Sequence, residues 1–182
     1  MSFPAFLDTC TLFGAALNDL LLELAERGAY RPLWSAHVLQ ELERNLTDKR
    51  IGAQAARNRI AAMQYAFPDA EVTGYDDLID GLRNDPKDRH VLAAAIRANA
   101  EVIVTFNLRD FPEDALVGYD LEVIHPDEFL LDQLDLYPSL TLLAVDEIAS
   151  AYENPAMTTE EYLERLRSAG TPKFADAVLD RI

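Results

Sequence analysis

A single cysteine, Cys10, rules out an intrachain disulfide and fits a reducing compartment. Beside Asp8 it reads as a buried thiol rather than a nucleophile. No run of about 18 apolar residues occurs, so no membrane-spanning helix is expected. The opening Met1-Ser2-Phe3-Pro4-Ala5 has neither a basic region nor a signal-type apolar stretch. A cytoplasmic protein is therefore expected. The three histidines, His37, His90 and His125, are scattered along the chain and do not suggest a zinc site. Basic residues are scarce: 16 Lys and Arg stand against 32 Asp and Glu, a formal net charge of −16. Taken alone, that balance argues against tight nucleic-acid binding. Internal repeats and low-complexity segments are absent.

What the chain does have is 182 residues with 49% apolar content, enough for one well-filled core and a small appendage. Its charge is unevenly distributed. Arg44, Lys49, Arg50, Arg57 and Arg59 fall within sixteen residues that hold one acid, Asp48, a local net of +4. Residues 123–182 carry a net of −8. A basic arm and an acidic tail imply two different faces, although a solvated helix surface would account for the arm equally well.

Hydropathy patterning alternates strands and helices. Residues 3–8 read as a short buried strand. A helix over 11–27 follows, with Leu17, Leu20, Leu21 and Leu24 on one face and Gly28 as its stop. Residues 31–34 form a second strand, Ser35 caps a helix to about Leu46, and another helix spans Ala53 to Tyr65. A weak strand near Glu71–Val72 precedes a short helix over 76–82. Asp85-Pro86 starts a helix that runs to about Asn99. Val102-Ile103-Val104-Thr105-Phe106 is a continuous apolar strand, typical of a sheet covered on both faces, and 121–124 make the last strand. This order implies an α/β fold with a parallel sheet of about five strands and right-handed crossovers. From Pro126 the pattern is helical: about 126–135, 138–153, 158–168 and 172–181. The expected division is an α/β domain over 1–125 and a helical extension over 126–182.

Four acids fall where a divalent-cation site would need them. Asp8 ends the first strand, Glu41 lies on the helix after the second, Asp88 is near the start of the Ala-rich helix, and Asp110 follows the 102–106 strand. Strand carboxyl ends and the helices after them form the functional edge of such sheets. Hard oxygen ligands gathered there suit Mg²⁺ or Mn²⁺. Each acid also has an ordinary use. Asp8 can cap a helix, Asp88 can favour a helix dipole, and Asp110 can cap the turn before Phe111-Pro112. Asp85 competes with Asp88 but looks like the helix cap. Glu41 and Glu43 flank the apolar stripe Val38, Leu39, Leu42 and Leu46, and periodicity does not choose between them.

In Phe6-Leu7-Asp8-Thr9, in Ser35-Ala36-His37-Val38-Leu39-Gln40-Glu41-Leu42, in Asp85-Pro86-Lys87-Asp88-Arg89-His90 with the run to Ala95, and in Val104-Thr105-Phe106-Asn107-Leu108-Arg109-Asp110-Phe111, the chain resembles the PIN-domain family. Within that family it is most similar to the VapC-type toxins of toxin–antitoxin pairs. The resemblance spans residues 3 to about 125 and implies a PIN-like α/β/α sandwich. It selects Glu41 over Glu43 and favours Asp88 over Asp85. It implies that Asp8, Glu41, Asp88 and Asp110 are the catalytic metal ligands, with Thr105 and Asn107 supporting them.

The activity implied is Mg²⁺-dependent hydrolysis of RNA phosphodiester bonds, with a cognate antitoxin as partner and a homodimer as the assembly. The Leu17–Leu24 face could serve as the dimer contact, but such a face is more often core. Arg44, Lys49, Arg50, Arg57 and Arg59 are candidates for a phosphate track, and Arg89 and Arg109 for a clamp on the scissile phosphate. A PIN-like DNA or flap nuclease and a non-catalytic binding module are the alternatives. A receiver-type domain is disfavoured, because no lysine follows the 102–106 strand or the 121–124 strand.

Overall fold

The computed structural model describes residues 2–182. The side chain of Arg50, expected on the phosphate track, lies outside the described residues. In chain order the elements are β1 (Pro4–Leu7), α1 (Thr9–Phe13), α2 (Ala15–Glu26), β2 (Arg31–Ser35), α3 (Ala36–Leu46), α4 (Ala53–Ala66), β3 (Glu71–Val72), α5 (Asp76–Ile79), α6 (Arg89–Arg97), β4 (Val102–Val104), α7 (Glu113–Leu116), β5 (Glu122–Ile124), α8 (Pro126–Leu136), α9 (Pro138–Ala151), α10 (Thr159–Ser168) and α11 (Pro172–Leu179). A π-type turn over Thr47–Ile51 extends α3, and 3-10 turns cover Pro86–Asp88 and Leu108–Asp110.

The chain folds as two compact units, and neither follows a single stretch of sequence. The first comprises residues 1–13 and 30–124. Its sheet has the order β3-β2-β1-β4-β5, with every pairing parallel. This is the five-strand sheet flanked by helices that a PIN-like α/β/α fold requires. Ala5, Phe6 and Leu7 on β1 and Ile103 and Val104 on β4 are fully buried. Continuous apolar runs of this kind form where helices cover both faces of a parallel sheet. The strand order reverses between β1 and β4, and crevices open outside the carboxyl ends of strands at such a reversal.

Two expected helices are broken, and both breaks bear on the site. The helix expected over 11–27 begins at Thr9, directly after Asp8, and is interrupted at Gly14, whose backbone is extended (φ −72°, ψ 128°). The helix expected from Asp85 splits into the 3-10 turn and α6, with Asp88 at the junction (φ −106°, ψ 7°). That bridge conformation is sparsely populated and common among active-site residues. Asp85 is the cap of the turn, its Oδ1 accepting from Lys87 N–H at 3.1 Å.

Helix α3 starts where expected. The Ser35 hydroxyl, fully buried, accepts from Val38 N–H at 3.2 Å, satisfying one of the four free N–H groups of the first turn. Val38, Leu39, Leu42 and Leu46 are buried along one face.

The second unit joins residues 14–29 to 125–182. Leu17, Leu20, Leu21 and Leu24 of α2 are buried in the unit where α2 meets α9 and α10. This face is therefore core and does not serve as a dimer contact. Gly28, at φ +80°, stops α2 in a conformation that glycine adopts without steric cost. Buried Asp127 on α8 accepts from the backbone N–H groups of Lys173 and Phe174 at the start of α11, at 3.1 and 2.8 Å. The Tyr162 hydroxyl donates to the Ala16 carbonyl at 2.7 Å. Among the described residues no helix is long and apolar enough to cross a membrane.

Replacing Ser35 by alanine removes the cap of the helix that carries Glu41. Ser35→Ala is expected to cost about 1 kcal/mol, read as a fall in Tm of about 2–4 °C in thermal unfolding followed by circular dichroism. An unchanged Tm would show that the cap contributes nothing.

Candidate metal centre

Parallel register sets Leu7 opposite Val104, so the residues after these two strands meet at the point of strand-order reversal. Asp8 and Thr105 occupy those positions. The Thr105 hydroxyl donates to Asp8 Oδ2 at 2.7 Å, and Thr9 N–H donates to Asp8 Oδ1 at 2.7 Å. Cys10 Sγ lies 3.4 Å from Asp8 Oδ2 and 3.4 Å from Thr105 Oγ1. Asp8 is 3% exposed. Burial raises its pKa above the ordinary carboxylate value and outweighs the hydrogen bonds that lower it, with the Glu41 charge acting in the same upward direction. Burial and the Asp8 charge push the Cys10 thiol up to about 11, so it stays protonated and unreactive at neutral pH.

Glu41 reaches the same place from α3. Its Oε2 accepts from the Thr9 hydroxyl at 2.9 Å. Asp88 arrives from the start of α6. It is buried, and its Oδ2 has no hydrogen-bond partner. Burial first, then the neighbouring carboxylates of Asp110 and Asp8, raise the Asp88 pKa to about 7. Asp110 is held near Asp88 by the backbone bond from Asp85 N–H to the Asp110 carbonyl, 3.0 Å. Lys87 Nζ sits 3.1 Å from Asp110 Oδ2 and 4.0 Å from Asp88 Oδ2. It holds the Asp110 carboxyl below the usual range.

Asp8, Thr9, Cys10, Phe13, Glu41, Arg44, Asn45, Lys49, Lys87, Asp88 and Asn107 line an open cleft of ≈ 360 Å³. Three of the four expected acids thus share one cavity, and Asp110 stands beside it through Lys87. Thr105 and Asn107 are joined, Asn107 N–H donating to Thr105 Oγ1 at 3.0 Å.

The expected phosphate contacts divide in two. Arg44 and Lys49 line the cleft. Arg57 is exposed on α4 and donates to Gln54 Oε1 at 3.0 Å. Arg59 is turned to the carbonyls of Leu12 and Phe13, at 3.2 and 3.3 Å, and closes the end of α1. Arg89 donates to the Asn84 carbonyl at 3.3 Å, and Arg109 is exposed.

Sequence reasoning passed over Lys87, although its place between Asp85 and Asp88 was the available signal. It also treated the histidines as scattered. The fold overturns this for two of them: the rings of His37 and His90 stack with centroids 3.7 Å apart. His125 is separate and caps α8, its Nδ1 accepting from Asp127 N–H at 3.1 Å.

A buried carboxylate oxygen without a donor, flanked by carboxylates that hinder its ionisation, is what a divalent cation would satisfy. Asp8, Glu41 and Asp88 offer carboxylate oxygens to this part of the cleft, which suit a hard cation of the Mg²⁺ or Mn²⁺ kind.

A parallel sheet of this order, with acids after β1, on α3 and before α6, defines a PIN-type domain. Residues 4–109 match the PIN-domain family, and the chain belongs to it. Residues 126–180 match the VapC50 C-terminal domain. The chain is 51% identical over 102 residues to a Mycobacterium tuberculosis (strain ATCC 25618 / H37Rv) protein named "Putative ribonuclease VapC50". That similarity covers 56% of this chain and 60% of the relative, so the chain spans less than two thirds of the curated protein it matches. No solved structure matches the chain.

The raised Asp88 pKa has a pH consequence. A carboxyl whose folded pKa lies above its unfolded value favours folding while protonated, and that contribution is lost as pH rises through the folded pKa. Without metal, the protein is expected to lose stability between about pH 4 and pH 7. Asp88→Asn cannot ionise and escapes this loss. In EDTA at pH 8 it should be more stable than wild type by on the order of 2 kcal/mol, with little difference at pH 4. Equal Tm values at both pH values would refute the assignment.

Proposed function

We propose that this chain is a Mg²⁺-dependent endoribonuclease, the toxin of a toxin–antitoxin pair, and that Asp8, Glu41, Asp88 and Asp110 hold its metal. The observation that carries this reading is the unpartnered Asp88 Oδ2 in a cleft shared with Asp8 and Glu41. The relative named a ribonuclease supports RNA as the substrate.

A divalent cation bound here supplies Lewis-acid activation of water and stabilises charge on the attacked phosphate. The protein's own groups do the positioning. Thr105 and Thr9 N–H hold the two oxygens of Asp8 in fixed directions, and Thr9 Oγ1 fixes one oxygen of Glu41. Such supporting hydrogen bonds orient ligands and sustain affinity. Lys87 partly neutralises Asp88 and Asp110. Arg44 and Lys49 on the cleft wall receive the flanking phosphates, with Arg57 continuing the track along the basic arm. Arg59 and Arg89 act through the fold, since each is tied to backbone carbonyls. The cognate antitoxin, a homodimeric assembly and a cytoplasmic location belong to this same reading.

Purified protein freed of partner, incubated with structured RNAs in Mg²⁺ or Mn²⁺, should yield discrete fragments that EDTA abolishes. Asp8→Asn and Asp88→Asn should each lower the rate by about 100-fold or more. Cleavage of DNA flaps with RNA untouched would replace the substrate class. Metal-independent cutting that survives both substitutions would refute the site. Arg44→Ala and Lys49→Ala should weaken binding to all RNAs alike, each reducing the slope of log affinity against log salt by about 1. An unchanged slope in nitrocellulose-filter titrations would remove them from the phosphate track.

A further inference from the structure

Two histidines that lie far apart in sequence share one carboxylate oxygen. His37 and Glu41 are four residues apart on α3 and so occupy the same face of that helix. His90 comes from the first turn of α6. The Nε2 atoms of His37 and His90 stand 3.8 and 3.7 Å from the same Glu41 Oε1. The imidazole rings are nearly parallel, with an interplanar angle of 16°. One ligand atom from each of the three residues can be chosen so that all lie within 4.8 Å of one another.

Hydrogen bonding does not explain this arrangement. Both separations exceed hydrogen-bond length. His90 is 4% exposed, and neither of its ring nitrogens has a hydrogen-bond partner. A buried imidazole with both nitrogens unsatisfied is costly, and such a group calls for a ligand. Glu41 divides its oxygens accordingly: Oε2 takes the Thr9 hydroxyl on the cleft side, and Oε1 faces the two rings. Neither histidine lines the carboxylate cleft.

We propose that His37, Glu41 and His90 form a second metal site, for a borderline divalent cation such as Zn²⁺ or Co²⁺, adjoining the carboxylate cleft and sharing Glu41 with it. Metal–ligand distances of about 2.0–2.1 Å at a tetrahedral ion place donor atoms roughly 3.3–3.4 Å apart. The 3.8 and 3.7 Å separations need to close by only a few tenths of an ångström. His37, half exposed, is free to turn out of the stack and direct Nε2 at the ion. Two imidazoles and one carboxylate suit Zn²⁺, Co²⁺ or Ni²⁺, whereas Mg²⁺ prefers oxygen donors. Three protein ligands leave a fourth position open to water or to a substrate oxygen. Because Glu41 belongs to both sites, an ion on the histidines draws charge from the cleft and couples the two. The site shares a ligand with the nuclease reading but needs no nuclease activity to be detected, so the two can fail separately.

The test is titration of metal-stripped, full-length protein with Co²⁺, followed by visible absorption and by calorimetry. Wild type should bind one equivalent with the intense d–d bands of a four-coordinate ion. His37→Ala and His90→Gln should each weaken that binding at least tenfold, while Asp88→Asn retains the bands. His37 is half exposed, so its alanine variant loses the ligand without a buried void, and circular dichroism checks the fold of both variants. Absence of the bands in wild type would overturn the proposal. So would unchanged affinity in His37→Ala, or loss of the bands in Asp88→Asn with displacement by Mg²⁺, which would put the ion in the carboxylate cleft.

Discussion

The hydrogen bond from Thr105 to Asp8 ties the carboxyl ends of β1 and β4 together where the strand order reverses. Much of the site depends on it. A carboxylate as buried as Asp8 would be costly without donors, and two of its donors come from the strand ends and the first turn of α1. Thr9 then passes the constraint on to Glu41, and Asn107 passes it back to Thr105. A chain of short bonds among neutral groups thus holds charged ones at fixed directions. Asp88 is the exception: it sits at the break between the 3-10 turn and α6, and its buried Oδ2, 4.0 Å from Lys87 Nζ, accepts no hydrogen bond.

Electrostatics explains how so acidic a chain accommodates this. Burial is the main cause of the raised pKa values of Asp8 and Asp88, and repulsion from neighbouring carboxylates adds to it. Lys87 relieves part of the repulsion from the exposed side, reaching Asp110 at hydrogen-bond distance and Asp88 more loosely. A flexible, solvent-exposed ammonium is a weak and displaceable neutraliser. Positive charge is also placed on one wall, where Arg44 and Lys49 border the cleft, while the larger share of the excess acid, a net of −10 against −6, lies in the second unit. Net charge alone therefore misjudged the cleft, whose local character differs from that of the chain.

Much of this was legible in the sequence. The run Val102–Phe106 could only be a covered strand, and the alternation of strands and helices gave the parallel sheet. Asp8 and Thr105 were readable as strand ends, and Ser35 as a cap. The choice of Glu41 over Glu43 came from resemblance, because both flank the same apolar stripe. Other features were not readable, for identifiable reasons. Gly14 breaks the first helix through its extended backbone, a conformation that composition does not report. His37 and His90 meet only because the fold brings the first turns of α3 and α6 together. Arg59 looked like a surface cation, and only the end of α1 reveals its carbonyl partners.

The break at Gly14 has a consequence for how the molecule could have been assembled over time. Residues 14–29 belong with 125–182, so the chain leaves the sheet-bearing unit, returns to it and leaves it again. The helical tail is thus not an appendix added to a finished domain. Its core includes Leu17, Leu20, Leu21 and Leu24 from near the start of the chain. Gain or loss of the tail in a lineage would expose or strand that leucine face. The two segments share one core, so substitutions in one constrain those the other can accept.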